Sequence, residues 1–484
     1  MEKIYLLLLG AATLISSPAQ TYSTLVNFSG ANGEGPLGGL VQGANGNLYG
    51  TTTYAGTCAL YLAGCGSVFE TTPSGTLTTL HFFTGPDGAL PYTALLLGAD
   101  GNFYGTTSAG GANCASSFGC GTLFKITPGG DLTTLYSFCS LAGCADGNDP
   151  AGGLIQATDG SFYGTTFSGG SKSCSLSSGG CGTIFRFVPG GMLTTVHSFG
   201  GSPEGLTPAA GLVRGADGNL YGTTLSGGAS GYGTIFRFIQ SSQTVNTMHS
   251  FCSQPGCADG AVPAGTLIEA TDRSLYGATS KGGSAACHLG CGTLFKITTR
   301  GGFTTLHSFV GTDGSAPLGG LIEATDGNLF GTTVQGGSDS CALGCGTVFE
   351  ITFGGDLTTL YSFSSASEAA DVRAPLMQAT NGTFYGTSFV GGSNGVGTVF
   401  SLSSGLGPFV KAVPHAGAPG AAVRILGSAL TGTSSVSFNG TGAEFTVVSD
   451  TEIVTTVPAA ATSGGIQVAA PGGALFGGPF VVLP

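Results

Sequence analysis

The residues in this chain with the most evident chemistry are its cysteines. There are 14 of them among 484 residues, and they fall into near pairs: Cys58/Cys65, Cys114/Cys120, Cys139/Cys144, Cys174/Cys181, Cys252/Cys257, Cys287/Cys291 and Cys341/Cys345. An even count in local pairs, behind an apolar N-terminal leader, reads as disulfides formed in an oxidising compartment. Zinc is the rival, because thiolates also hold that metal. A tetrahedral zinc site needs four convergent N or S ligands, however, and only Cys287/Cys291 has a histidine beside it, His288. No metal is expected there. A disulfide closing so short a loop adds on the order of 2 kcal/mol by loop entropy, so rigidity is its main effect.

A second set is acidic. Four residues before a recurrent proline stand Asn32, Asp87, Asp146, Glu204, Asp259, Asp313 and Asp371. Two readings compete. Most are followed by glycine, and Asp favours such turns. Brought together by a repeat, they would instead ring a site for a cation or a polar ligand. No D-x-[DN]-x-[DN]-G calcium loop occurs, and Asp146-Gly147-Asn148-Asp149 is the densest local group of oxygen ligands. The expectation is thus no cofactor, with a cation such as Ca2+ as the occupant the ring reading allows. These seven are the candidate binding residues.

Four of the six histidines, His81, His197, His249 and His307, occupy one repeat position that Tyr136, Tyr361 and Val26 hold elsewhere. A position open to Tyr and Val reads as packing on an outer strand, not as a catalytic base. His415 has no evident partner. No phosphate-binding G-x-x-x-x-G-K-[ST] occurs, and no sector pairs carboxylates beside a lone His or Tyr. No catalytic residue is assigned, and a non-enzyme is expected.

The elements that must position these residues are strands. Ninety glycines and only 8% charged residues exclude coiled coils and long helices. Three markers recur in register at intervals of about 55 residues. One, [LF]-[YF]-G-[TA]-[TS], centres on Tyr49, Tyr104, Tyr163, Tyr221, Tyr276, Phe330 and Tyr385. The second, G-[TS]-[VLI]-F, ends at Phe69, Phe124, Phe185, Phe236, Phe295, Phe349 and Phe400. The third, like L-T-T-L-Y-S-F, ends at Phe28, Phe83, Phe138, Phe199, Phe251, Phe309 and Phe363.

Within Gly319–Phe363 the pattern predicts strand A at Gly320–Glu323, B at Leu329–Thr333, C at Thr347–Ile351 and D at Leu357–Phe363. Asp-Gly between A and B favours a tight hairpin, because Gly tolerates positive φ. Such four-stranded units are propeller blades. The first marker in the chain is a lone strand D (Tyr22–Phe28), and the last unit lacks one, so the first can complete the seventh blade. The B–C and D–A loops then share one face, which carries every cysteine pair. Loops on a rigid scaffold are where binding usually lives.

The start, MEKIYLLLLGAATLISSPAQ, has the form of a signal peptide cleaved after Ala19, its apolar run being shorter than a membrane span. From about Gly405 the repeat gives way to short alternating strands that suit a small immunoglobulin-like sandwich. The expected domains are a signal peptide (1–19), a propeller (20–404) and a sandwich (405–484). The fold class is therefore all-β: a seven-bladed β-propeller closed by an N-terminal outer strand, then a small β-sandwich. A net charge of −12 with 13 Lys and Arg, and no basic cluster, argues against nucleic acid and acidic membranes. No transmembrane segment is expected.

The quoted LYGTT…GG…GT[VL]F…LTTLYSF units, over roughly residues 22–402, resemble the GloVer-type tandem-repeat proteins, which are bacterial surface or exported proteins. Membership implies no specific activity. The A–B–C–D order is also similar, more weakly, to NHL-type repeats. The C-terminal segment resembles the IPT/TIG family at Pro419-Gly420, Val423–Gly427, Val436–Asn439, Phe445–Ser449, Ile453–Pro458 and Pro471-Gly472-Gly473, which implies a spacer or adhesion unit. The combined expectation is a secreted, surface or periplasmic binding or adhesion protein for a glycan or protein. A structural surface component, or less readily a polysaccharide-acting enzyme, is the alternative.

Overall fold

The computed structural model of the chain describes residues 20–58, 64–114, 120–171, 180–287, 289–337, 345–365 and 367–483. The expected signal peptide, His288, Cys174 and Cys341 lie outside the described residues. Each repeat folds as four antiparallel strands. In the unit opened above, these are A (Ile322–Glu323), B (Leu329–Thr332), C (Thr347–Ile351) and D (Leu357–Ser362), hydrogen-bonded in chain order. Strand A is shorter than its sequence pattern. A Cβ on Gly319 would lie 2.7 Å from the Ala374 carbonyl of the next unit, and one on Gly320 would lie 2.9 Å from the Thr266 carbonyl of the previous unit. The chain here runs against neighbouring backbones, so it packs instead of pairing.

Among the described residues this A–B–C–D sheet occurs six times within single repeats. The remaining such sheet joins Met377–Gln378, Phe384–Ser388 and Thr398–Ser403 to Thr21–Asn27 from the start of the chain. The N-terminal strand takes the register of a strand D, including its bulge. Val26 lies opposite Val399 after a shift at Thr24/Val26, as His81 lies opposite Val68 before the shift at Val68/Phe69.

Buried side chains link sheet to sheet without a break. The Phe ending each strand D packs on the strand C Phe of the following sheet: Phe83 on Phe124, Phe138 on Phe185, Phe199 on Phe236, Phe251 on Phe295, Phe309 on Phe349 and Phe363 on Phe400. Phe28 completes the cycle against Phe69 at 5.2 Å between ring centroids. All of these rings are fully buried. Strands B and C are tied at one end by a pair of hydroxyls, such as Thr107 with Thr122 at 2.9 Å and Thr333 with Thr347 at 2.9 Å. This is why the sequence repeats GTT before the loop and GT after it. The result is an all-β, propeller-like molecule without an α-helix among the described residues.

Residues 411–482 form two further sheets. One is four-stranded (Lys411–Val413, Ala422–Leu426, Glu452–Thr456, Phe445–Ser449), and the other is five-stranded around Gly464–Ala470 and Gly473–Val482. Their alternating inward residues, including Val423, Ile425, Ile453, Ile466, Val468 and Phe480, make a separate core.

Candidate ligand-binding face

The two loop classes meet at one end of every sheet. Each D–A loop makes a β-bridge to the start of its own B–C loop: Glu34 to Tyr54, Ala89 to Ala109, Asn148 to Ser168, Leu206 to Ser226, Ala261 to Lys281, Ser315 to Gln335 and Ala370 to Val390. Hydroxyl pairs stand beneath these bridges. Thr122, Thr234 and Thr347 also donate to the carbonyls of Asp87, Glu204 and Asp313. Disulfides cross-link this end as Cys58–Cys65, Cys114–Cys120, Cys139–Cys144, Cys252–Cys257 and Cys287–Cys291, and Cys181 and Cys345 are also disulfide-bonded.

The D–A acids hold their own loops. The Thr84 amide donates to Asp87 Oδ1 at 2.8 Å, and the amides of Ser253 and Gln254 donate to Asp259 at 3.0 and 3.2 Å. The Val310 amide reaches Asp313 at 2.9 Å, and the Gly200 amide reaches Glu204 at 2.9 Å. In Asn32 the side-chain oxygen accepts from the Ser29 amide at 2.9 Å. The glycine after most of these residues is obligatory, since a Cβ on Gly88 (φ +130) would sit 2.5 Å from Thr107 Oγ1.

The strand-D histidines do more than pack. His81 Nε2 lies 2.8 Å from Asp87, His249 3.0 Å from Asp259, and His307 2.8 Å from Asp313. His197 Nε2 lies 2.7 Å from a Glu204 carboxylate oxygen. The Tyr136 hydroxyl donates to Asp146 at 2.7 Å. Where strand D offers Val26, the loop carries Asn32, so an acid is present only where a polar partner stands across from it. This correlation between repeats was the signal in the sequence for the pairing.

Asp371 is the exception among the seven candidates. It sits at φ 57, at the repeat position of Leu90, Asp149, Thr207, Val262 and Ala316, which share that left-handed backbone. Its carboxylate is bidentate to Arg373 at 2.6 Å, and Arg373 lies 4.9 Å from the Phe389 ring centroid. Glu368 takes the turn-holding place, accepting from the Ser364 amide at 3.1 Å, and its charge and hydrogen bond add to burial in raising Tyr361. The proline count that aligned Asp371 fails because Val372, not proline, follows the left-handed residue in this unit.

Electrostatics follow these contacts. Burial pushes the Asp87 and Asp259 carboxyls up, but hydrogen bonds from His81 and Thr84, and from Ser253 and Gln254, more than offset it, leaving both below the ordinary range. Burial holds His249 below its usual value despite Asp259. Asp149 goes the other way. Its Oδ1 is buried without a hydrogen-bond partner, and desolvation raises it to about 7. The oxygen-rich stretch 146–149 therefore does not act as one site: Asp146 faces its turn, Asn148 bonds Ser168 at 3.0 Å, and Asp149 turns inward. Among the described residues no three His, Cys, Asp or Glu side chains converge as metal ligands would.

The opposite end carries the A–B turns, and sequence reading did not anticipate what happens there. A Gln or Glu ending strand A accepts from a turn amide of the preceding unit: Gln156 from Ala99, Glu269 from Ala216, Glu323 from Thr271, Gln378 from Thr325 and Gln42 from Thr380. Leu97 and Arg214 interrupt this series. Over Leu97 lies the C-terminal region, with Leu426 and Val413 packed among Leu97, Val41 and Ala44. Thr451 Oγ1 donates to the Ala44 carbonyl at 2.7 Å, and the Phe409 amide donates to the Thr380 carbonyl at 2.9 Å.

This geometry defines an all-β tandem-repeat protein with propeller-like sheets and several disulfides. The model of the Gloeobacter/Verrucomicrobia repeat matches four times, at residues 9–177, 63–288, 115–343 and 286–444, and the chain belongs to that family. No curated protein matches it. Among solved structures it is similar to a fungal alcohol oxidase in complex with copper, with 13% identity, a TM-score of 0.51, 96% of this chain and 100% of that one covered. The Niastella koreensis GH74 enzyme matches at 14% identity and a TM-score of 0.48, over 93% of this chain and 71% of that one. At 13% identity the likeness to the oxidase is one of fold.

Proposed function

We propose that the chain is an exported, non-catalytic protein that binds a glycan or protein ligand through the disulfide-rich face of a closed seven-bladed β-propeller. In this reading residues 20–404 form the propeller, and 405–484 form an IPT/TIG-like, immunoglobulin-type sandwich. The unbroken cycle of Phe contacts and the N-terminal strand in the last sheet support the ring. Disulfides suit an oxidising compartment. No helix among the described residues is long and apolar enough to cross a membrane.

The observation that carries the functional reading is the division of labour between the two ends. Variation in loop length and the cross-links gather on one face, above hydroxyl pairs that do not vary. The D–A residues Asn32, Asp87, Asp146, Glu204, Asp259 and Asp313, joined by Glu368, fix the loops that would touch a ligand. Asp371 presents its carboxylate with Arg373. Copper is a property of the oxidase neighbour. The described residues bring no ligand set together for it, so no step through copper is derived.

Glycan arrays and pull-downs with the mature chain test the proposal. Saturable binding to one ligand is expected, with loss on Asp146→Ala or Asp259→Ala. Turnover of a polysaccharide, or binding indifferent to both substitutions, would overturn it.

A further inference from the structure

We propose an anion-binding site at the A–B end of the repeats, where Arg214, Lys411 and His415 hold a small, doubly charged oxyanion beneath the C-terminal sheets. Phosphate groups and dicarboxylates share that chemistry. The site lies at the opposite end from the face proposed above and does not depend on it.

Strands A of successive units run against one another. A Cβ on Gly38 would lie 2.4 Å from the Thr93 carbonyl, and one on Gly152 would lie 2.7 Å from the Ala210 carbonyl. Their ends therefore gather at the middle of the A–B end, and the C-terminal region lies across it. It meets the seventh, first and second units through Phe409 with Thr380, Thr451 with Ala44, and Leu426 with Leu97. Strand Lys411–Val413 turns alternate side chains to opposite sides. Ala412 joins the C-terminal core, whereas Val413 packs among Leu97, Val41 and Ala44 of the repeats. Lys411, two residues before Val413, shares its side and so faces the repeats. Across the cycle, Arg214 ends strand A of the fourth unit (Val213–Arg214). It stands where Gln or Glu elsewhere accepts a turn amide, a bond that a guanidinium cannot make. Burial, then the charges of Arg214 and Lys411, hold the His415 imidazole below its usual value, so the three groups stand together.

The cluster is open to a ligand. Lys411 and His415 keep surface exposed to water, and Arg214 is half-buried, yet burial holds the Lys411 ammonium below its usual value too. Side chains lining a recess behave in this way. Among the described residues none of the three has an ion pair or a side-chain hydrogen bond. Acids at the same end are engaged. Glu269 accepts from the Ala216 amide, Glu323 from the amide and hydroxyl of Thr271, and Glu452 pairs with Arg424. Like charges in a recess repel more strongly than at an open surface, because less water screens them. An oxyanion removes that cost and draws protons onto Lys411 and His415. Arg214 supplies a fork that matches carboxylate or phosphate oxygens, and with Lys411 it balances two negative charges. Arg214 belongs to the repeats and the other two to the C-terminal region, so the bound anion ties the regions together.

The test is calorimetry on the mature chain with inorganic phosphate and succinate as probes and chloride at matched ionic strength as control. Saturable binding of phosphate or succinate is expected, with proton uptake, and the tighter of the two names the source. The His415 titration followed by NMR should move up when the anion binds. Lys411→Gln and Arg214→Gln should each weaken binding roughly tenfold, the loss of one charge-assisted contact. Arg214→Gln installs the residue that Gln156 and Gln378 supply in other units, so the fold stands. Without anion both changes should raise the melting temperature, since repulsion is removed, a sign that purely structural side chains would not give. Lys281→Gln, exposed at the opposite end, should change nothing. No binding of either anion, binding indifferent to Lys411→Gln and Arg214→Gln, or an unmoved His415 titration would each sink the proposal. None of these results bears on the loop face, which Asp146→Ala reports separately.

Discussion

Each strand-D side chain and the loop acid facing it behave as one unit, and the unit has two states within a single chain. His or Tyr comes with a carboxylate, and Val26 comes with Asn32. Asp259, fully buried, accepts two amides, the Ser253 hydroxyl and His249. Asp259→Ala should therefore cost about 2–4 kcal/mol, seen as a lower denaturation midpoint, since several buried donors lose their acceptor. The double change His249→Val with Asp259→Asn copies the Val26/Asn32 state and should recover part of that loss. The sign with pH follows from both groups being held low. Their contribution is present at neutral pH and lost on acidification, first as His249 in the unfolded chain protonates below about 6.5, then through the carboxylate range. Asp149 has the opposite sign. Raised to about 7, it favours the folded state when protonated, and that contribution disappears as pH rises through 7. Asp149→Asn keeps a residue that tolerates positive φ and removes the charge. It should raise the melting temperature at pH 8 and flatten its fall between pH 5 and 8. The acids were legible in the sequence as turn formers. Their partners were not, because a position shared by His, Tyr and Val looks like packing until the loop is read beside it.

At the scale of the strand, the hydroxyl pairs and the D–C Phe contacts explain the repeat markers, and this level was the most legible. Polar Thr in a buried position and an invariant Phe both follow from what a sheet must join to its neighbour. Strand A was legible only in part, since its glycines serve contact with adjacent units, which no single-unit pattern reveals. The N-terminal strand was legible from the complementary markers at the two ends of the repeats. Its removal is correspondingly severe. Phe28 is fully buried against Phe69, and Tyr22 stacks on Tyr361 at 4.5 Å. Phe28→Ala should cost about 3–5 kcal/mol through the cavity it leaves. Deleting 22–28 should leave Thr398–Ser403 as an open edge and drive aggregation as well as unfolding. Unchanged melting without the strand would contradict the cycle of contacts described above.

For the whole molecule, the C-terminal region is fastened to the repeats rather than trailing from them. It bridges the last and first sheets through Phe409 with Thr380 and Thr451 with Ala44, across the seam where the N-terminal strand closes the seventh sheet. Leu97 marks the place because it cannot accept the amide that Gln or Glu accepts in five of the other units, and instead offers a methyl surface to Leu426. None of this could be read from sequence, since a single Leu among Gln and Glu carries no hint of what covers it. Leu97 and Leu426 are nearly buried, at 7% and 2% exposure, and burying each such side chain contributes about 1.5–3 kcal/mol. A clamp of that size couples the two regions in unfolding. The native chain should therefore melt in one calorimetric transition. Leu97→Glu should place an unpaired charge under Leu426, split the melt into two transitions, and let protease separate residues 405–484 from the repeats. Two transitions in the native chain would show that the C-terminal sheets unfold independently of the repeats, and a single one that survives Leu97→Glu unchanged would show that Leu97 is not what couples them.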